Sequence, residues 1–493
     1  MFDQWPSLVV AIPLIAAGIC AIIRYEFICW LVSIITSLVS LFGSIFLYLT
    51  VKASGDISYK LGGWAPPVGI EYRVDIFACY LLILISLVAI GVLIYGRKLI
   101  NNEIASHLRG WFYSMYLLCM CGLMGIVITG DAFNAFVFME ISSLSMYTLI
   151  ALGRDKRALL ASYQYLILGT LGATMYVIGV GFLFNVTGTL NLIDLSIKIQ
   201  PILDTPAIKV AMSFIFAGLS IKIALFPLHF WLPNAYAFAP SVVTTFLAAT
   251  ATKVSIYLLM RYFYTVFGFS FGMSSELIIG IILLCSILAI FVGSFSAIFE
   301  NNLKRLLAFS SVAQIGYITL GIAIANNAGL TGSMVHIFNH ALMKASLFMI
   351  LGAIAFQIHK DQLILTDLSG LGKKMPFSMA AMTIAGLSLL GVPGTVGFVT
   401  KWYLIQGAMQ NGWWWLVVLI LVSSLLVLIY LGKIIETVYF KPANNTGIEM
   451  NELPGSTFII ILLAVSSCIY LGFDTSLTLG LAEEAVNALV PKG

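Results

Sequence analysis

Three proton-accepting side chains, His336, His340 and Lys344, recur at intervals of four residues inside one apolar stretch of this sequence. At a rise of about 1.5 Å per residue, that spacing stacks them on one face of a helix over about 12 Å. Histidine titrates near neutrality and can accept a proton at one nitrogen while donating from the other. Two histidines in register with a lysine therefore make a ladder for protons, whereas a lone buried histidine reads as packing. His229 is a different case. It sits in Phe226-Pro-Leu-His-Phe-Trp-Leu-Pro233, where shaping a turn and admitting protons are equally good readings.

Four more charged residues fall deep within apolar stretches: Glu140, in Phe136-Val-Phe-Met-Glu-Ile-Ser-Ser-Leu144, and Lys222, Lys253 and Lys401. A charge at mid-bilayer costs about 2.5–3.5 kcal/mol on insertion scales, so such residues face water, a partner or a functional path. One of them could snorkel to an interface or serve as glue between helices. One glutamate and four lysines together, counting Lys344, would consume about the whole stability of a fold. The charge state of a buried lysine follows whether a carboxylate stands beside it, so moving Glu140 relative to Lys222 would switch that state.

The elements that must carry these residues are membrane helices. Hydrophobic residues make up 61% of the 493 and charged ones 9%, against about a quarter charged in a soluble domain. Apolar runs long enough to cross a hydrocarbon core about 30 Å thick recur throughout. They are expected at 6–23, 28–50, 74–96, 111–129, 131–152, 158–186, 209–237, 241–265, 274–298, 303–325, 328–357, 376–408, 413–438 and 456–478. Backbone in lipid must satisfy its own hydrogen bonds, and the runs are too long for strands, so the chain reads as an all-α polytopic membrane protein of about fourteen helices. The whole of 1–493 reads as one membrane domain, with no room for a soluble one.

The first run lacks a basic flank and a cleavage motif, so it reads as span 1 rather than a signal peptide. The seven cysteines have no metal-ligand spacing and are odd in number, so they read as packing residues. With an even number of spans, the loops fall into two sets. Fourteen Lys and Arg, Lys304 among them, lie in one set and seven, including Arg261 and Lys492, in the other. The richer set should face the cytoplasm, with both termini outside. Of the 25 basic residues this sorting leaves only Lys222, Lys253, Lys344 and Lys401.

Span 7 contains Ala217-Gly-Leu-Ser-Ile-Lys222-Ile-Ala-Leu-Phe-Pro227, and span 12 contains Ala385-Gly-Leu-Ser-Leu-Leu-Gly391-Val-Pro393-Gly394. Proline removes an amide donor and clashes with the preceding turn, so span 7 should break just after Lys222 and span 12 near Pro393. Either break alone would be an ordinary kink. A matched pair points to inverted repeats, with unwound backbone near the midplane. Spans 4 to 8 (111–265) and 9 to 13 (274–438) are expected as the two repeats, after spans 1 to 3 (1–110) and before span 14 (456–478). Five spans per repeat would turn the second upside down and open one half-path to each side. The chain carries no Walker loop, dinucleotide fingerprint, Cys-x-x-Cys ligand set or nucleophile elbow, so no cofactor or metal is expected. Energy must come from an ion gradient or a partner protein.

The segment Phe226-Pro-Leu-His-Phe-Trp-Leu-Pro-Asn-Ala-Tyr-Ala-Phe-Ala-Pro-Ser241, followed by Ala251-Thr-Lys-Val-Ser-Ile-Tyr257, resembles the proton-translocating antiporter family. That family holds the large subunits of Mrp-type Na+/H+ antiporters and their relatives in complex I and membrane-bound hydrogenases. The resemblance covers nearly the whole chain. It implies fourteen helices, inverted repeats at 4 to 8 and 9 to 13, and a hydrated polar axis in the membrane plane. Glu140 matches the family glutamate of helix 5, Lys222 the lysine of broken helix 7 and Lys253 that of helix 8. His336, His340 and Lys344 match polar helix 11, and Lys401 the terminal residue of broken helix 12. Lysine at 401, the chain length and Leu61-Gly-Gly-Trp-Ala-Pro-Pro-Val-Gly-Ile70 look most like the D-type subunit of Mrp antiporters. The resemblance thus implies a transporter subunit moving protons against Na+ beside other membrane subunits, or else an N- or M-type proton-pumping, non-redox subunit of complex I or a hydrogenase.

Overall fold

The computed structural model describes residues 4–268, 276–442, 451–453 and 455–489; residues 274 and 275, where span 9 is expected to begin, and Lys492 lie outside them. The helices run α1 (Trp5–Ile23), α2 (Glu26–Ser54), α3 (Ile76–Glu103), α4 (Arg109–Ile128), α5 (Ala132–Ala151) and α6 (Arg157–Thr187). A short α7 (Leu192–Ile199) leads to α8 (Pro206–Ile223), α9 (Trp231–Phe238) and α10 (Ser241–Met260), which continues as a π-helical turn, Arg261–Val266. Then come α11 (Glu276–Phe299), α12 (Leu303–Ile324), α13 (Asn327–Ile358), α14 (Pro376–Leu390), α15 (Val396–Gln410), α16 (Trp414–Tyr439), α17 (Gly455–Phe473) and α18 (Ser476–Leu489). Among the described residues, 13 helices are long and apolar enough to cross a membrane. The broken pair α14 and α15 supplies the fourteenth crossing, and the protein is an integral multi-pass membrane protein.

Local chemistry sets the helix ends. Asp75, Asp131, Asn302 and Asn326 each accept the backbone N–H three residues on, capping α3, α5, α12 and α13. Pro206 and Pro376 begin α8 and α14, where a missing amide costs nothing. The expected breaks are present. The first half of span 7 stops at Ile223, one residue past Lys222, as Ala224 turns left-handed at φ 60°, and α9 resumes at Trp231. Span 12 stops at Leu390, with Gly391 at φ 82°, and resumes at Val396. Both segments contain the proline, Pro227 or Pro393, that prevents a continuous helix.

One connection occurs twice. Before α5, Ala132 N–H donates to Leu190 O and Leu192 N–H to Gly130 O, each at 2.8 Å. Before α12, Leu303 N–H donates to Leu363 O at 2.9 Å and Leu365 N–H to Asn301 O at 3.0 Å. The start of span 5 is thus stitched to the end of span 6 as the start of span 10 is to the end of span 11, the relation expected of repeats. α10 and α12 are buried almost throughout, whereas α1, α2, α11, α16 and α17 present much of their apolar surface outward.

Two elements do not follow from hydropathy. Strands β1 (Ile57–Lys60) and β2 (Glu71–Val74) form an antiparallel hairpin between α2 and α3, pairing Ile57 with Val74 and Lys60 with Glu71. Four-residue strands are too short to stand out among long apolar runs. Span 14 ends at Phe473, and α18 packs Ala482, Ala485 and Val486 inward as a separate helix.

Candidate functional site

The break in span 7 lets Lys222, in the last turn of α8, turn toward α5. Its Nζ donates to Ser143 Oγ at 2.7 Å and stands 4.0 Å from Glu140 Oε1. Ser143 and Glu140 lie three residues apart on α5 and so present both acceptors on one face. Lys222 is buried, but the Glu140 side chain is 24% exposed at the surface of the chain, and its buried Oε1 accepts no hydrogen bond from the described residues.

Lys253 lies midway along α10 with no exposed surface and donates to the Ala248 carbonyl, with the Thr252 hydroxyl 3.4 Å away. It interacts electrostatically with His336, His340 and Lys344 on α13. The histidines form the expected stack, with ring centroids 5.6 Å apart and planes 9° from parallel. Nδ1 of His336 lies 3.1 Å from Thr400 Oγ1 on α15, while its Nε2 and both nitrogens of His340 have no hydrogen-bond partner among the described residues. Buried polar atoms of this kind are where ordered water is expected. Lys344 donates to the Leu307 carbonyl at 2.8 Å and to Ser310 Oγ, both on α12. It therefore reaches across to the neighbouring helix α12.

Lys401 lies in the second half of span 12, on α15, and reaches back across the break to the Leu390 carbonyl and to Ser424 Oγ, each at 2.7 Å. Its stem passes over the bare face of Gly391, where a Cβ would come within 2.9 Å of Lys401 Cδ. Tyr317 of α12, not singled out from sequence, stands between the ladder and this lysine. Its ring meets His336 edge-on at 6.2 Å, lies 5.2 Å from Lys401 Nζ, and its hydroxyl is 2.6 Å from Ser423 Oγ. Lys253, Lys344 and Lys401 have neutral oxygens as hydrogen-bond partners, and of these lysines only Lys222 has a carboxylate within 4.0 Å among the described residues.

His229 stands apart from this row. It is sandwiched between Phe226 and Phe230 at 5.4 and 4.8 Å and lines a crevice of about 770 Å³ with Gln164, Trp231, Asn234 and Arg305. Two residues sorted into loops are buried. Lys304 is in the first turn of α12 and buried, which no local signal in the sequence shows. Arg261 extends α10 and pairs with Asp75, donates to Tyr257 Oη at 2.9 Å and lies 5.0 Å from the ring centres of Phe77 and Tyr257. Burial pushes the Asp75 carboxyl up, but the Arg261 guanidinium and the Ala78 amide more than offset it and hold the carboxyl below its ordinary range.

Residues 129–427 match the family described as NADH:quinone oxidoreductase/Mrp antiporter, transmembrane. The chain is 39% identical over 443 residues to the N-type subunit of NADH-quinone oxidoreductase from Desulforudis audaxviator, covering 87% of each. It is 31% identical over 430 residues to the D-type subunit of the Na+/H+ antiporter from Alkalihalophilus pseudofirmus, covering 87% of this chain and 85% of the relative. A chain in the structure of the Mrp complex from Dietzia superposes with a TM-score of 0.91 at 26% identity, covering 99% of this chain and 98% of that one. With its broken helices, its twice-used connection and a match over more than half its length, the chain belongs to the NADH:quinone oxidoreductase/Mrp antiporter family.

Proposed function

We propose that the protein is the ion-translocating subunit of a multisubunit monovalent cation/H+ antiporter and moves protons along Glu140, Lys222, Lys253, His340, His336 and Lys401, with Lys344 as a side station. The observation that carries this reading is the divided environment of Lys222, held by a neutral hydroxyl at 2.7 Å with a carboxylate waiting at 4.0 Å. Closing that gap favours the ammonium and opening it favours the amine, so movement of Glu140 couples to release of a proton toward Lys253. His229, on its crevice, is the proton inlet in this reading.

An acid about a quarter exposed at the middle of a membrane helix does not face lipid, which supports a partner membrane protein covering Glu140. The basic loops support insertion in the cell membrane with both termini outside. The duplicated connection supports repeats at 111–265 and 274–438. The assembled complex with Glu140→Ala or Lys222→Ala, assayed for Na+-dependent proton flux in everted vesicles, is expected to lose transport. Wild-type flux in both variants would overturn the assignment.

The 39% identity to an N-type subunit of NADH-quinone oxidoreductase favours a second reading, a non-redox pump component that an oxidoreductase elsewhere in the complex drives. Purification of the complex separates the two: iron–sulfur or quinone-site proteins mean the second, and small antiporter proteins mean the first.

A further inference from the structure

A second cluster of charges lies at the basic end of the bundle, away from the row of lysines. Glu103, the last residue of α3, accepts the Ser241 backbone N–H at 2.6 Å, at the start of α10. Lys304 Nζ donates to Ser241 Oγ at 2.9 Å, so one serine holds an acid and a buried lysine together across three helices. A small notch of about 20 Å³, room for one water, opens beside them and is lined by Glu103, Lys304, Arg154, Asp155 and Asp361.

Two arms lead inward from this cluster. On α12, Leu307 lies one turn beyond Lys304, and its carbonyl receives Lys344 Nζ. On α13, Gly352 lies two turns from Lys344, and a Cβ there would collide with Tyr95 Oη and fall 3.1 Å from Ser241 Oγ. The bare glycine thus lets two hydroxyls converge, and that of Tyr95 is buried with no hydrogen-bond partner among the described residues. A structural role alone, with Glu103 capping α10, would explain the carboxylate. It would not explain a buried lysine beside a notch or an unpaired hydroxyl on the inner side.

We propose that Glu103, Ser241 and Lys304 form a proton-acceptance site at the basic end of the bundle that loads Lys344, separate from the His229 crevice. The proposal rests on the proton-translocating reading above. A proton arriving as hydronium adds to a Glu103 carboxylate oxygen, an O–H bond of hydronium breaks, and water remains. The neutral carboxyl no longer offsets the Lys304 ammonium. Lys304 then releases a proton, relayed by the Ser241 and Tyr95 hydroxyls and water, to the lone pair of a neutral Lys344. Lys304, now an amine, takes the proton from Glu103 and restores the carboxylate. One proton enters and one N–H bond forms on Lys344, with no further reactant.

The test is proton flux of the assembled complex in vesicles as the pH on the basic side is varied. Besides Lys304, the charged or titratable groups around Glu103 are Arg154, Asp155, Asp361 and Tyr95. Glu103→Gln keeps an acceptor for the Ser241 amide but not the charge. It is expected to lower flux several-fold at alkaline pH and little at acid pH, where protons are plentiful. Glu103→Asp should stay near wild type, and Gly352→Ala, which wedges the hydroxyls apart, should reproduce the alkaline defect. Wild-type flux of Glu103→Gln at every pH overturns the proposal, as does an equal loss at every pH, which would report only a lost cap. Should Glu103→Gln fail to assemble, Gly352→Ala decides by the same two outcomes. Glu140→Ala serves as the control: if it too keeps wild-type flux, the translocation reading fails, and if it alone abolishes flux, only the Glu103 site fails.

Discussion

Tyr317 and Lys401 face each other on α12 and α15, with the Lys401 ammonium 5.2 Å from the centre of the phenol ring and the Tyr317 hydroxyl bonded to Ser423, next to the Ser424 that receives Lys401. The ring face adds a π surface beside a lysine whose ammonium donates to a carbonyl and a hydroxyl. A cation–π contact contributes about 0.5–1 kcal/mol when exposed and about 2 kcal/mol when desolvated, enough to bias whether the lysine holds its proton. Because the same ring meets His336 edge-on, Tyr317 joins the ladder to its last station.

Tyr317→Leu removes this face and is expected to slow flux about tenfold, as a loss of about 1.4 kcal/mol would, and to move the pH optimum. Tyr317→Phe keeps the face and loses only the bond to Ser423, so it should retain most of the flux with the wild-type pH optimum. Flux against pH for both variants in the assembled complex is the measurement. Equal effects would show that the hydroxyl, not the ring, matters.

Ser143→Ala removes the neutral acceptor at 2.7 Å and leaves Glu140 as the acceptor nearest Lys222. The lysine should close onto the carboxylate and stay charged, so flux is expected to fall about tenfold while the complex assembles normally. Ser143→Thr, which keeps a hydroxyl, should recover much of it. Sodium-driven proton flux in vesicles checks both.

The Asp75–Arg261 pair predicts stability rather than transport. Breaking a buried ion pair on one side costs about 3–5 kcal/mol. Asp75→Ala should therefore lower the midpoint of thermal unfolding of the detergent-solubilised protein clearly. The sign with pH follows from the carboxyl lying below its ordinary range when folded. Its stabilisation is fully present above the unfolded value of about 3.9 and is lost as pH falls through the native value. The gap between wild type and variant should stay constant from neutral to mildly acid pH and shrink only at strongly acid pH. A gap that closed near neutrality would contradict the pairing.

Much of this protein is determined by the sequence alone, because a bilayer punishes errors that water forgives. Every crossing must be apolar and about 20 residues long, so the helices can be counted. The lysines deep within apolar runs stand out, and Lys222, Lys253, Lys344 and Lys401 emerge by elimination. The breaks at Pro227 and Pro393 follow from the missing amide, and the stacking of His336 on His340 from helical pitch. Where local spacing carries no information, only the tertiary structure decided. Whether Lys304 and Arg261 sit in water or in the core depends on Ser241, Asp75 and helices far away in sequence. The turning of Lys344 toward α12, the distance between Lys222 and Glu140, and the position of Tyr317 depend in the same way on how separate helices pack. Helical periodicity relates residues three and four apart, but it does not relate one helix to another.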